Sequence, residues 1–204
     1  MKKLIVITTP AFFSNEGKII TRLFEEGLLC LHFRKPGCSS VQLMQMLSEI
    51  PSKYYHQIVL HDCFDIALEQ QKKGQPVKGI HLNKRNTSIP EGFVGSISCS
   101  CHSLEEIEEN KKRDYVFLSP IFDSISKEGY GRRYTLSVLE NASKEGLINE
   151  KVIALGGMDI QTIPLICNIN FGGVAVLGAV WGQNPSIEKA DAIMERYKQI
   201  QLCV

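Results

Sequence analysis

Short apolar runs recur along the chain at residues 4–7, 28–33, 58–60, 77–82, 94–98, 115–118, 152–155 and 174–177. Each has the length of a strand, and continuous hydrophobicity is what a strand covered on both faces requires. Most stretches between them carry helical spacing. Val41, Leu43, Met44, Leu47 and Ile50 supply one apolar face expected to pack in the core, with Ser39 or Ser40 placed to cap its start. Ser103-Leu-Glu-Glu106 has the capping-box pattern, so Ser103 and Glu106 read as structural. A last helix is expected over residues 187–200, with Pro185 and Ser186 marking its start. The link over residues 83–93 is short and holds Pro90 and Gly92, which argues against a full helix there.

Strand–helix alternation favours an α/β fold with a parallel sheet, and eight strand-like runs favour closure into a (β/α)8 TIM barrel. A doubly wound open sheet is the competing architecture. No linker, low-complexity tract or charge block divides the chain, so residues 1–204 read as a single domain. Two of the runs break into glycine, Val152-Ile-Ala-Leu-Gly156-Gly157 and Gly172-Gly-Val-Ala-Val-Leu-Gly178. Adjacent backbone-rich loops at the end of such a barrel are a common phosphate site.

Composition narrows the picture. The chain is 44% hydrophobic and 22% charged, enough for a sizeable core, and its net charge of +1 gives nucleic-acid binding little support. Thr8, Thr9 and Pro10 end the first apolar run too soon for a signal peptide or a membrane span. Seven scattered cysteines fit reduced thiols and a cytoplasmic location better than a disulfide framework. Cys99-Ser-Cys101-His102 lacks a second cluster that would complete a zinc site.

In a barrel the chemistry collects where the strands end. Those positions hold His32, Arg34 and Lys35, then His61 and Asp62, then His81 to Lys84. They continue with Ser98, Ser100 and His102, and with Ser119 to Lys127. Cations, imidazoles, hydroxyls and bare amides suit an anionic, phosphorylated ligand. His81 reads as a strand end with a structural hydrogen bond, and Asp62 is placed to cap the helix after Cys63.

These segments resemble the thiamine phosphate synthase and TenI superfamily. The likeness rests on His32-Phe-Arg34-Lys35-Pro36, His61-Asp62-Cys-Phe-Asp-Ile-Ala67, Gly79-Ile-His81-Leu82 and Ser100-Cys-His102-Ser103. It continues through Asp114 to Lys127, Ala154-Leu-Gly-Gly157 and Gly173-Val-Ala-Val-Leu. It implies a transferase joining hydroxymethylpyrimidine diphosphate to thiazole phosphate, giving thiamine phosphate and pyrophosphate. By the same resemblance Arg34 and Lys127 meet the diphosphate, Asp62 holds Mg2+, and Ser100 contacts substrate. His32 and His61 join the substrate-binding set, and Ser124, Ser126, Gly157, Leu177 and Gly178 form the thiazole-phosphate pocket.

The departures are specific. The family lysine two places after the arginine is Pro36, with Lys35 next door aimed elsewhere. The asparagine before the metal aspartate is His61, and a serine of the phosphate pocket is Gly178. The second metal carboxylate falls on Asn86, so weak magnesium binding is expected. Because the diphosphate half is altered, a TenI-type thiazole tautomerase acting on thiazole carboxylate phosphate is the alternative. Its usual histidine falls on Pro120, which leaves His102 or His61 for acid–base work. A thiazole-phosphate-binding protein without chemistry is the third reading. Small phosphorylated molecules are the expected partners, without nucleic acid or membrane, and a homo-oligomer stays open.

Overall fold

In the computed structural model, which describes residues 3–122 and 134–204, eight parallel strands close into a barrel in chain order. They are β1 (Lys3–Ile7), β2 (Leu31–Phe33), β3 (Ile58–Leu60), β4 (Gly79–Leu82), β5 (Ser96–Cys101), β6 (Tyr115–Leu118), β7 (Val152–Leu155) and β8 (Gly173–Val176). Outside them lie α1 (Glu16–Glu25), α2 (Ser40–Ser48), α3 (Phe64–Lys72), α4 (Leu104–Glu109), α5 (Leu136–Lys144), α6 (Gly178–Trp181) and α7 (Ala190–Gln201). The open-sheet alternative is excluded by the β8–β1 pairing, which runs from Lys3 opposite Gly173 to Val6 opposite Val176. A side chain at Gly173 would put its Cβ 2.1 Å from the Lys3 carbonyl oxygen, so this seam needs glycine. No helix forms between β4 and β5, as Pro90 and Gly92 imply. Ser124, Ser126 and Lys127 lie outside the described residues.

Strand alternation sorts the core into two parts. Leu31, Phe33, Leu60, Ile80, Leu118 and Val176 face outward and are buried under the helices. Ile5, Ile7, Cys30, Val59, Tyr115, Phe117, Ile153 and Ala175 fill the barrel interior. Each fully buried large apolar side chain contributes about 1.5–3 kcal/mol. Trp181 closes the seam from outside: it is fully buried, and its indole N–H donates to the Ile7 carbonyl at 2.8 Å. Arg196 on α7 holds this corner by donating to the carbonyls of Val180 and Trp181 at 2.8 and 3.1 Å.

Several boundaries move. The fifth strand runs from Ser96 to Cys101 instead of 94–98, and Val94 is exposed. Ser98 and Ser100 find hydrogen bonds inside the barrel, so a polar alternation continues as strand. The second strand starts at Leu31, after Leu29 has turned to solvent. Val41 was expected in the core but is 77% exposed in the first turn of α2, and Met46 is buried on that helix instead. Ser39 caps α2 in a full capping box with Gln42. Ser103 caps α4, while Glu106 accepts from the His102 N–H. Asp62 is not a cap: Cys63 holds that position in a left-handed conformation, without a side-chain bond. The seven cysteines are free thiols, with the Cys38 and Cys63 sulfurs 3.9 Å apart. Among the described residues no helix is long and apolar enough to cross a membrane.

Candidate active site

The chain leaves β3 directly into His61 and Asp62, at the end of the barrel where the strands terminate. Asp62 is almost buried, and its carboxylate is held from the β4–β5 loop. Arg85 donates to Oδ1 at 3.0 and 3.2 Å and to Oδ2 at 3.1 Å, and Asn86 donates to Oδ1 at 3.0 Å. Asn83 and Asn86 tie the same loop to the His61 carbonyl, at 2.5 and 3.4 Å. Arg34, half-buried after β2, is pinned by its backbone N–H to Thr8 Oγ1 at 2.9 Å. Burial first, and then the Arg85 guanidinium, push the Arg34 guanidinium below its ordinary value, while Asp62 acts the other way. Arg85 pairs with Asp62 directly while Arg34 feels both only through the field, so two guanidiniums face one carboxylate and excess positive charge is left for an anion.

Lys35 points away from this cluster. Its ammonium meets both carboxylate oxygens of Glu16 at 2.7 Å and the Ala11 carbonyl at 2.8 Å. Lys35 is 1% and Glu16 0% exposed, so this is a buried ion pair that braces the β2 loop against the start of α1. Burial pushes the Glu16 carboxyl up and the Lys35 ammonium down, each against the pull of its partner.

Inside the barrel sit three histidines. His32 is fully buried, with Nδ1 2.8 Å from His61 Nε2 and Nε2 2.7 Å from the Tyr115 hydroxyl. It therefore reaches a ligand only through His61. His81 bridges Ser98 and Ser100 at 2.9 Å each, the structural role expected of it. The His61 and His81 rings stack with centroids 4.1 Å apart. Burial is the main cause that lowers all three imidazoles, His81 to about 3, so they are neutral at ordinary pH. Their candidate ligand atoms lie within 4.8 Å of one another. However, only His61 Nδ1 lacks a partner among the described residues, and two arginines stand nearby, which disfavours a buried dication there.

The glycine loops lie at the same barrel end. Gly156 and Gly157 have φ of 95° and 62°, values that favour glycine. A Cβ on Gly156 would come within 2.9 Å of Pro120 Cα, because the β6 and β7 loops are laced together by Ile121 and Phe122 donating to Leu155 and Gly156. Thr162 fixes the loop by donating to the Gly157 carbonyl at 2.7 Å, and the Gly157 N–H has no acceptor among the described residues. Leu177 and Gly178 follow β8 and start α6. Gly157→Val should weaken binding of a thiazole phosphate at least about tenfold, ~1.4 kcal/mol, because it forces a β-branched residue into left-handed backbone. Calorimetry on the variant, with its melting temperature as a control, checks this; unchanged affinity would remove the phosphate assignment.

Magnesium prefers hard oxygens and commonly takes one or two carboxylates together with substrate phosphates. Here Asp62 is one such carboxylate, and Asn86 presents its N–H2 to it in place of a second. The residues fit an ion that arrives with anionic ligand oxygens and displaces Arg85, which is half-exposed.

Reading the sequence by strand ends alone missed Arg85, Tyr115 and the inward role of Ser98. The signal for the last two was alternation: Tyr115 and Phe117 face in, while Val116 and Leu118 face out. Arg85 had no such signal, since its role depends on a loop folding back over Asp62.

A closed parallel barrel with cations and glycine loops at its strand-terminating end defines a (β/α)8 protein of the kind that takes phosphorylated small molecules. Residues 4–180 match the family model described as thiamine monophosphate synthase, and the chain belongs to that family. It is 26% identical over 183 residues to thiamine-phosphate synthase 1 of Streptococcus pneumoniae (strain ATCC BAA-255 / R6), covering 85% of this chain and 86% of that one. A crystal structure of thiamine phosphate pyrophosphorylase from Bacteroides thetaiotaomicron superposes with a TM-score of 0.86 at 42% identity, covering 98% of this chain and 96% of that one. The thiamine phosphate pyrophosphorylase from Pyrococcus furiosus shares the fold, with a TM-score of 0.70 at 20% identity over 97% of this chain and 96% of that one.

Proposed function

We propose that this protein is a transferase that joins hydroxymethylpyrimidine diphosphate to thiazole phosphate, releasing pyrophosphate and forming thiamine phosphate. The observation that carries this reading is the Arg34–Arg85–Asp62 cluster at the same barrel end as the Gly157 and Gly178 loops. One half of the site suits a departing diphosphate, and the other a second, retained phosphate. As the carbon–oxygen bond of the pyrimidine methyl diphosphate breaks, negative charge builds on the leaving group. Arg34 and Arg85, with Lys127 by family resemblance, stabilise that charge more than the ground state, which is what speeds the step. The thiazole is held by its phosphate at the amides of Gly157 and Gly178, with Ser124, Ser126 and Leu177 assigned to the same pocket. Holding both reactants in one cleft turns capture of the carbon by the thiazole nitrogen into an intramolecular event. Magnesium, when bound through Asp62, supplies further charge neutralisation to the diphosphate.

An assay of thiamine phosphate formation across a magnesium titration tests this. The wild type should form product, with residual turnover at low magnesium because Arg85 supplies cationic charge of its own. Arg85→Ala uncovers Oδ2 of Asp62 and leaves Oδ1 with Asn86 alone, so it should lower the half-saturating magnesium and cut magnesium-free turnover about tenfold or more, the scale of a hydrogen bond to a charged group. No product from the wild type at any magnesium concentration would end the transferase reading. Proton exchange on thiazole carboxylate phosphate in that case would put the tautomerase first, and binding without reaction the non-catalytic binder.

A further inference from the structure

Two thiols meet at the ligand end of the barrel, and the diphosphate chemistry uses neither. Cys38 lies in the loop that follows β2, four residues after Arg34, and Cys63 comes directly after Asp62 in the loop that follows β3. Their sulfurs are 3.9 Å apart, and the Cys63 thiol donates to the Cys38 carbonyl at 3.3 Å. The two loops are held together around them. Ser40 Oγ donates to Asp65 Oδ2 at 2.8 Å across the starts of α2 and α3, and the Cys38 N–H donates to the Lys35 carbonyl at 3.1 Å. Lys35 is itself anchored by Glu16. Cys63 has φ of 55° and ψ of 52°, left-handed backbone that glycine or asparagine adopts at less cost. Cysteine is therefore not the residue this turn favours, and a strained backbone next to the charge cluster points to a use for the side chain. Both thiols are only half-buried, whereas Cys30, Cys99 and Cys101 are buried.

We propose that Cys38 and Cys63 form a redox-modification site: hydrogen peroxide converts them to a disulfide that joins the Arg34 loop to the Asp62 loop and lowers turnover until a dithiol reductant reopens it. The Cys63 sulfur takes one peroxide oxygen; the O–O bond breaks, a sulfenic acid forms and one water leaves. The Cys38 sulfur then bonds to the Cys63 sulfur, the S–O bond breaks, and the hydroxyl departs with the Cys38 proton as a second water. The two thiols lose two electrons in all, and the peroxide is reduced to two waters. Burial first, and then Cys63 beside it, push the Cys38 thiol up to about 12, which fits Cys38 as the second sulfur to react. A dithiol returns two electrons and two protons by exchange and is itself oxidised to a disulfide. The bond requires the sulfurs to close from 3.9 Å to about 2.05 Å. Arg34 and Asp62 ride on the same two loops, so closure displaces the carboxylate that Arg85 and Asn86 hold. A misplacement of about 1 Å in a reacting site can cost about 10²-fold in rate. For this effect on turnover the proposal rests on the transferase reading, whereas the disulfide does not.

The test treats the full chain with hydrogen peroxide, blocks the remaining thiols and digests with trypsin, which leaves Cys38 in residues 35–53 and Cys63 in residues 54–72. Mass spectrometry of the treated wild type should find these two peptides joined, and a dithiol should part them. Turnover of the joined form should fall about 10²-fold and return with the dithiol. Cys38→Ser and Cys63→Ser should turn over like the untreated wild type both before and after peroxide. Equal losses in the wild type and both serine variants would place the damage at another residue and overturn the proposal. Peptides that stay apart in the treated wild type would overturn it too, as would a joined form with unchanged turnover. If the untreated wild type makes no thiamine phosphate, the transferase reading fails on its own. The joined peptides and their parting by the dithiol then decide the disulfide, and their absence overturns it.

Discussion

Lowering the pH from about 7.5 to about 5.5 should remove about 4 kcal/mol of folding stability, about 1.36 kcal/mol for each of three buried histidines. His32, His61 and His81 are held below the ordinary histidine value, chiefly because burial penalises the charged ring, and His81 falls to about 3. The unfolded chain takes up these protons near pH 6.5 while the folded chain does not. Stability is therefore complete above that pH and is lost as the pH falls, over a window that for His81 extends down to about 3. Urea unfolding followed by fluorescence of the buried Trp181 at the two pH values measures the loss. Equal stability at both would mean that the histidines are charged in the native barrel.

Glu16→Ala should cost about 3–5 kcal/mol, the usual penalty for leaving one member of a buried ion pair behind. The Lys35 ammonium would keep Thr9 Oγ1 at 3.3 Å and the Ala11 carbonyl at 2.8 Å, but no anion. A double variant, Glu16→Met with Lys35→Met, should recover most of that loss, because apolar residues of similar volume replace buried pairs at little cost. Denaturant midpoints of the two variants give the comparison. A single variant as stable as the wild type would show that Lys35 is hydrated in the folded state. Since Lys35 follows Arg34 directly, the single variant should also lower turnover by loosening the arginine's loop.

The strand runs at residues 58–60, 115–118 and 152–155 were legible to the residue because buried parallel strands are uniformly apolar. Strand five was misjudged because polar Ser98 and Ser100 interrupt that uniformity for a reason visible only in three dimensions. Arg34 and Asp62 stood out as charges at strand ends, and the two glycine loops stood out as breaks in apolar runs. Lys35, read as aimed away from Arg34 although next to it, does point to the opposite side, where Glu16 meets it. Tyr115 and Arg85 acquire their roles from partners on other strands and loops, and spacing along one chain does not record those. Val41 shows the converse: helical periodicity named a face but could not say where along the helix the neighbouring element ends.

The seam between β1 and β8 has a consequence for how the barrel is made. Trp181, which seals that seam on the Ile7 carbonyl, lies 174 positions after it. A ribosome adding about 5–20 residues per second needs roughly 9–35 s to cover that distance. Throughout this interval the Lys3–Ile7 strand has one unpaired edge and its apolar Ile5 and Ile7 side chains uncovered. The barrel therefore cannot close around Ile5 and Ile7 until residues 173–176 have been made.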